Sequence, residues 1–484
     1  MNHRSTLNRI ARKAMTDRGF LPDFSPQAIQ ELATIVNPVT HGTISPRDMK
    51  GLIWCSIDND DSQDLDQLTY AESLPGGSVK IFVAIADVDA LVKNQSALDH
   101  HARQNSTSIY TAGGIFPMLP EKLSTDLTSL KYDTDRGAMI IEITVDPEGA
   151  AQQSDIYLAS VHNHAKLAYN SVDAWLENTA PMPEALKKVA DLDTNLRLQD
   201  QVAQKLKARR QEHGALHLRT TEARPVFDNE VLVDLQTETT NRAKELIENF
   251  MVLANGVTAR YLTSKKFPSL RRVVRTPKDW DRIVELAHEN AFTLPSTPDS
   301  KLLDEFLLFA EAKDPVRFPD ISLSIVKLLG SGEYVVNLPG ETPIGHFGLA
   351  VRDYSHSTAP NRRYPDIITL RLLKAAMAGQ PVPYNNNELK ELASHCTEKE
   401  DDAKKVERQV RKSAEAMLLE HQIGKQFEAI VTGASAKGTW VRLLNPPVEG
   451  MLVQGFKGLK VGQRLRVQLM HTEVERGFID FKRV

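Results

Sequence analysis

Five aspartates, Asp58, Asp60, Asp61, Asp64 and Asp66, fall within nine residues directly after the apolar stretch Leu52, Ile53 and Trp54. Carboxylates crowded this closely repel one another. The segment is therefore either a solvated irregular loop or a place where several of them share a cation. Oxygen-only ligands of this kind suit a hard divalent ion, Mg2+ or Mn2+, and not zinc. A calcium loop beginning at Asp58 needs Gly at its sixth position and Glu at its twelfth; Gln63 and Thr69 stand there instead. What remains is a loop with Asp58, Asp64 and Asp66 as spaced ligands, Asp64 and Asp66 facing the same side of an extended segment. A hard ion that keeps open positions for water and phosphate oxygens points toward phosphodiester chemistry.

The chain has 484 residues, which implies about two or three domains. No apolar run approaches the length of a membrane span, and the N-terminus Met1-Asn2-His3-Arg4 lacks the apolar core of a signal peptide. Cys55 and Cys396 are the only cysteines, too far apart in sequence for zinc spacing or a disulfide framework. The expectation is a cytoplasmic, monomeric protein with no membrane partner. The net charge of −4 excludes little, because a basic nucleic-acid patch is often local.

Residues 1–48 read as a short helical region. Leu7, Ile10 and Ala14 recur at helical spacing, and Ser25-Pro26 opens a second helix. The pair is either a helix-turn-helix-like appendage or a packing extension of the main domain. Residues 50–150 are strand-rich, with Gly76-Gly77 turning into the apolar run Val79 to Val88 and a further strand over Met139 to Val145. Helices follow at 185–213, 239–262, 301–312, 365–378 and 386–422, the last long and charged. From Gly424 onward five short strands, punctuated by Gly433, Asn445-Pro446-Pro447, Gly455 and Gly462, suit an OB-type barrel. Lys437, Arg442, Lys457, Lys460, Arg464 and Arg466 make it basic. The chain divides into a helical region at 1–48, a large mixed domain at 49–422 and an OB fold at 423–484, an α+β architecture.

After Ile57-Asp58 and Asp64-Leu65-Asp66 come Val83-Ala84-Ile85-Ala86-Asp87-Val88, Ile115-Phe116-Pro117-Met118-Leu119-Pro120 and Leu123-Ser124 with Ser129-Leu130. Later come Glu245-Leu246-Ile247-Glu248, His346-Phe347-Gly348-Leu349 and Thr358-Ala359-Pro360-Asn361-Arg362-Arg363-Tyr364-Pro365-Asp366. In this order, over roughly residues 50 to 484, they resemble the ribonuclease II / ribonuclease R family, the RNB-domain exoribonucleases. Members of that family carry OB-fold domains at the N-terminal end; residues 1–48 leave no room for them.

The resemblance implies a Mg2+-dependent 3′ to 5′ exoribonuclease, with Mn2+ as a substitute, that threads single-stranded RNA and releases nucleoside 5′-monophosphates. It assigns catalysis to Asp58, Asp64, Asp66 and Arg362, and metal binding to Asp58, Asp64, Asp66 and Gln67. Gln67 departs from the aspartate usual at that position; an amide oxygen can ligate but brings no charge. Asp60 or Asp61 could compensate. The implied RNA contacts are Tyr110, Arg363, Tyr364, Arg411 and Trp440, with Phe267 a candidate for a second aromatic clamp. Glu248 and Asn255 are candidate channel residues, and His346 and His356 are expected to be structural. Two rivals stand beside this reading: an inactive RNB-like RNA-binding protein weakened at Gln67, and a metal-dependent DNA exonuclease.

Overall fold

The computed structural model describes residues 2–38, 46–219, 222–238, 240–435, 438–459 and 461–484. Its centre is a seven-stranded sheet. In chain order the strands are β1 (Arg47–Asp48), β2 (Cys55–Asp58), β3 (Gln67–Ser73), β4 (Val79–Ala86), β7 (Asp135–Val145), β8 (Ala151–His162) and β9 (Ala165–Ala168). A two-stranded hairpin of β5 (Ile109–Thr111) and β6 (Gly114–Phe116) stands apart from it. The sheet order is β1-β8-β7-β4-β3-β2-β9, antiparallel except for the outer pairs β1–β8 and β2–β9. The apolar run of β4 sits at its centre and is buried almost throughout, which explains its lack of alternation.

Helices cover the sheet. Arg242–Ser264 presents Leu246, Ile247, Phe250, Ala254 and Val257 to the main core, and Tyr364–Met377 is buried along most of its length. The helix expected over 185–213 is two pieces, Glu184–Lys187 and Leu192–Glu212. Asp191 between them adopts φ +63°, a left-handed conformation that no helix interior tolerates. A strand pair, Glu222–Asp228 with Val231–Glu238, went unread in the sequence. The C-terminal strands Gln426–Ser435, Gly438–Leu443, Glu449–Gln454, Phe478–Arg483 and Arg464–Glu473 close, in that order, into a five-stranded barrel. Lys437 and Lys460 lie outside the described residues.

The two N-terminal helices, α1 (His3–Thr16) and α2 (Pro26–Thr34), pack on different partners. Helix α1 lies on the long helix Asn386–Leu419, and α2 on α3 (Ala97–Asn105). Between them, the Leu21 N–H donates to Asn105 Oδ1 and Asn105 Nδ2 donates to the Leu21 carbonyl, both at 2.9 Å. Lys399 Nζ donates to the carbonyls of Arg18 and Gly19. This is a packing extension, clasped to the central domain on two sides.

His101 of α3 sits inside that clasp, 4% exposed, with its ring 4.2 Å from that of Phe24. Burial holds its imidazole down to about 4. An unfolded histidine titrates near 6.5, so between these values the unfolded chain binds a proton that the folded one refuses. His101 therefore contributes a slope by which stability falls as pH drops from about 6.5 toward 4, read as the melting temperature across that range, the raised Asp66 carboxyl contributing the opposite sign. His101→Gln, which cannot take up the proton, should flatten the slope; an unchanged slope would remove His101 as its source.

Candidate active site

The aspartate loop joins β2 to β3 and is stapled from outside. Ser129 Oγ donates to the Gln63 carbonyl at 2.7 Å and accepts the Leu65 N–H at 3.0 Å, while the Leu130 N–H donates to the Leu65 carbonyl at 2.9 Å. The Ala86 N–H at the end of β4 donates to the Asp66 carbonyl. These bonds fix the turn without using a carboxylate.

Each expected carboxylate has a distinct environment. Asp58 accepts the Asn59 N–H at 2.7 Å and the Ser62 hydroxyl at 2.9 Å; burial nevertheless raises its carboxyl above the usual range, with Arg362 opposing. Asp64 accepts the Tyr110 hydroxyl at 3.0 Å. Asp66 is buried, accepts the Asn361 N–H at 2.9 Å and lies 3.4 Å from Arg362 Nε. Burial pushes the Asp66 carboxyl up to about 7 against the pull of Arg362, with Asp64 and Asp366 adding repulsion. Asp58 and Asp66 thus each lie within electrostatic reach of both Arg362 and Asp64. Burial and Asp64 both push the Tyr110 phenol upward, so it stays a proton donor.

The loop that carries Arg362 is held from below. Asp366 Oδ1 accepts the Ala359 N–H and Arg363 Nη2, both at 2.8 Å, and Thr128 Oγ1 donates to Asn361 Oδ1. Asn255 Oδ1 accepts the Ser357 N–H at 2.8 Å and its hydroxyl at 2.9 Å, so Asn255 braces this loop from a buried position instead of lining a channel. The Arg362 side chain itself is 46% exposed. Tyr364, expected among the RNA contacts, is buried at 1% exposure and packs in the main core. Arg363 is engaged by Asp366. Arg411 lies on the long helix, half-exposed, with Glu415 at 3.9 Å. Trp440 lies on the barrel, its ring against Gly433 and Gly438 and paired across strands with the exposed Met451.

Several expectations fall away. Phe267 packs against the main core. Tyr169, overlooked in the sequence, is the aromatic beside Asp58. It follows β9, whose Ala168 pairs with Asp58, and its phenol is raised by burial and by Asp58. No local pattern marks it, because the parallel β2–β9 pairing brings it there. Asp61 pairs with Arg224 at 2.7 Å and Asp60 is exposed, so neither joins Asp66. Gln67 opens β3 half-buried, and its side-chain amide makes no hydrogen bond among the described residues. Cys55 is buried in β2 with its thiol pushed up to about 12, as befits a strand residue. His346 is held down to about 4, and half-buried His356 meets the Tyr334 hydroxyl at 2.7 Å; neither is placed to act as a base.

Among the described residues, no three His, Cys, Asp or Glu side chains are gathered tightly enough to hold an ion as they stand. The donor chemistry nonetheless fits a hard cation: every candidate ligand atom is oxygen, and two carboxyls are raised by burial beside a single guanidinium.

Comparison with known proteins places the fold. The RNB domain model matches residues 46–379, and the model of the RNase II-type exonuclease C-terminal S1 domain matches residues 425–484. The chain belongs to the RNB family. Ribonuclease R of Escherichia coli (strain K12) is 30% identical over 468 residues, covering 92% of this chain and 56% of that protein. Ribonuclease R 1 of Lactococcus lactis subsp. lactis (strain IL1403) is 26% identical, covering 97% of this chain and 60% of its own. The structure of Mycoplasma genitalium RNase R in complex with double-stranded RNA superposes with a TM-score of 0.87 at 26% identity, covering 98% of this chain and 82% of that one. The chain thus spans 56–60% of the length of these two curated relatives. Among the described residues no helix is long and apolar enough to cross a membrane.

Proposed function

We propose that this chain is a metal-dependent 3′ to 5′ exoribonuclease that hydrolyses single-stranded RNA to nucleoside 5′-monophosphates. The observation that carries the reading is the grouping, in an RNB-family chain, of Asp58, Asp64 and Asp66 with the half-exposed Arg362 and with Tyr110 on Asp64.

A divalent ion held by Asp58, Asp64, Asp66 and the free amide of Gln67, Mg2+ or in its place Mn2+, would supply an activated water and offset phosphate charge. The protein's own groups do the rest. Asp66 is locked by the Asn361 N–H, so its carboxylate cannot swing away. Arg362 lies beside Asp66 with nearly half of its side chain open to solvent, and its planar fork suits the two free oxygens of a phosphodiester. The ring of Tyr110 offers a sequence-blind stacking face while its hydroxyl orients Asp64.

Removing that face has a measurable cost. Tyr110→Ala is expected to raise KM for a single-stranded oligoribonucleotide about tenfold or more, the scale of losing one base–aromatic stack. Tyr110→Phe should keep KM and lower kcat, because only the hydroxyl on Asp64 is lost. Steady-state kinetics separate the two; equal KM values for wild type and Tyr110→Ala would reject stacking.

The reading is tested with 5′-labelled single-stranded RNA and pure protein in Mg2+, beside the same strand as DNA. Shortening from the 3′ end to a small limit product on RNA alone supports it. RNA that is bound but intact in both Mg2+ and Mn2+ replaces it with a non-catalytic RNA-binding protein. Shortening of DNA at a comparable rate replaces it with a general exonuclease.

A further inference from the structure

The β5–β6 hairpin has two unlike faces. Ile109 and Phe116 pair across it and are buried, in a small core shared with Leu7, Ala11, Ala14 and Met15 of α1 and with Val406 and Val410 of the long helix. The next pair, Tyr110 and Ile115, points the other way, and both are open, at 40% and 62% exposure. The Tyr110 hydroxyl on Asp64 shows that this open face adjoins the aspartate loop. Side chains directly opposite on antiparallel strands stand about 5 Å apart at Cβ, so the two present one continuous apolar surface.

The hairpin is held at three points. The Ser108 N–H and the Thr107 hydroxyl donate to the Arg362 carbonyl at 3.0 and 3.1 Å, tying its base to the arginine loop. The Tyr110 N–H donates to Glu407 of the long helix at 3.0 Å. Its turn rests on α1: a Cβ at Gly113 would come within 2.4 Å of the Asn8 nitrogen and 2.5 Å of the Leu7 carbonyl carbon, and Asn8 Nδ2 donates to the Gly113 carbonyl at 3.3 Å. Glycine is required here by close backbone approach, not by φ.

We infer that Ile115 extends the stacking face proposed for Tyr110 into a two-residue platform that takes a further unpaired nucleobase of the RNA, and that α1 is the brace that sets this platform against Asp64. Helix α1 lies N-terminal to the region matched by the RNB model. Its residues touch no substrate; they position the hairpin that does. The inference rests on the exoribonuclease reading for the identity of the ligand.

The test uses the full chain. Kd is read with 5′-fluorescein-labelled single-stranded RNA in EDTA, and kcat and KM with the same strand in Mg2+. Ile115→Asn, on an exposed side chain, is expected to raise Kd roughly fivefold, less than Tyr110→Ala because an aliphatic chain covers less of a base than a ring does. KM should rise by more than kcat falls. Gly113→Val, which drives the turn off α1, is expected to raise Kd to a similar extent in the wild-type background. In Tyr110→Ala/Ile115→Asn, where no platform is left to misplace, it should add less than about twofold. Asn8→Ala removes only the bond to Gly113 and serves where Gly113→Val does not fold; it should act in the same direction and be equally silent in the double-mutant background. Unchanged Kd in Ile115→Asn overturns the platform. Equal effects of the α1-contact variants in both backgrounds overturn the brace. Wild-type protein that binds RNA but never shortens it refutes the exoribonuclease reading while leaving the Kd measurements to decide the platform.

Discussion

Arg362→Ala is expected to lower kcat on single-stranded RNA by about two to three orders of magnitude, the scale seen when one pre-organised charge-stabilising donor is removed. The side chain is half-exposed and, among the described residues, its ion pair is with Asp66, so the loss should fall on chemistry and leave the fold intact. The loop itself is built from other bonds: Asp366 to the Ala359 N–H, Asn361 to Thr128, and the Arg362 carbonyl to Ser108, none of which uses the guanidinium. Arg362→Lys should recover only part of the rate, because an ammonium keeps the charge but not the planar fork. A fall in kcat of less than threefold for the alanine variant would refute the role, provided its melting temperature matches wild type.

The larger effect is expected at Asp66. Asp66→Asn keeps the shape and the acceptor for the Asn361 N–H but removes the charge. Loss of activity should exceed about a thousandfold, beyond the loss of a single hydrogen-bond donor. Stability should move the other way. A buried carboxyl already held up to about 7 is poorly compensated in the metal-free protein, and a neutral isostere spares that desolvation. The metal-free variant is therefore expected to melt at or above the wild-type temperature while still binding RNA. Activity above about one hundredth of wild type would remove Asp66 from the chemistry; a marked drop in melting temperature would make it structural.

The local parts of this site were legible in the sequence, and the parts made by long-range pairing were not. Five aspartates in one loop cannot be hidden, and the regular spacing of turns after Gly424 spelled out a closed barrel. Tyr169 was invisible because it reaches Asp58 only through the parallel β2–β9 pairing, and nothing in its own neighbourhood is unusual. The break at Asp191 was missed because Lys- and Arg-rich helix pattern continues on both sides of one left-handed residue. Tyr364, an expected RNA contact, and Asn255, a candidate channel residue, are both buried, and Asn255 braces the arginine loop. Residues near a reactive group in sequence include those that hold it and those that face the ligand, and composition does not distinguish them. The position of α1 depended on a small core assembled from three distant segments, which no window of sequence contains.

The helix Asn386–Leu419 spans about 50 Å at 1.5 Å per residue. Leu389, Leu392 and Cys396 belong to the core beneath the sheet, Ala403, Val406 and Val410 to the core under α1, and Ala416 and Leu419 to the core of the barrel. Three hydrophobic cores therefore share one rod, and none can lose its stretch of helix without fraying that of its neighbour. A barrel on a loose tether would melt by itself and refold by itself. This one shares its helix with the other two cores, so damage in the barrel is expected to be felt, as lost stability, in the cores at the far end of the rod.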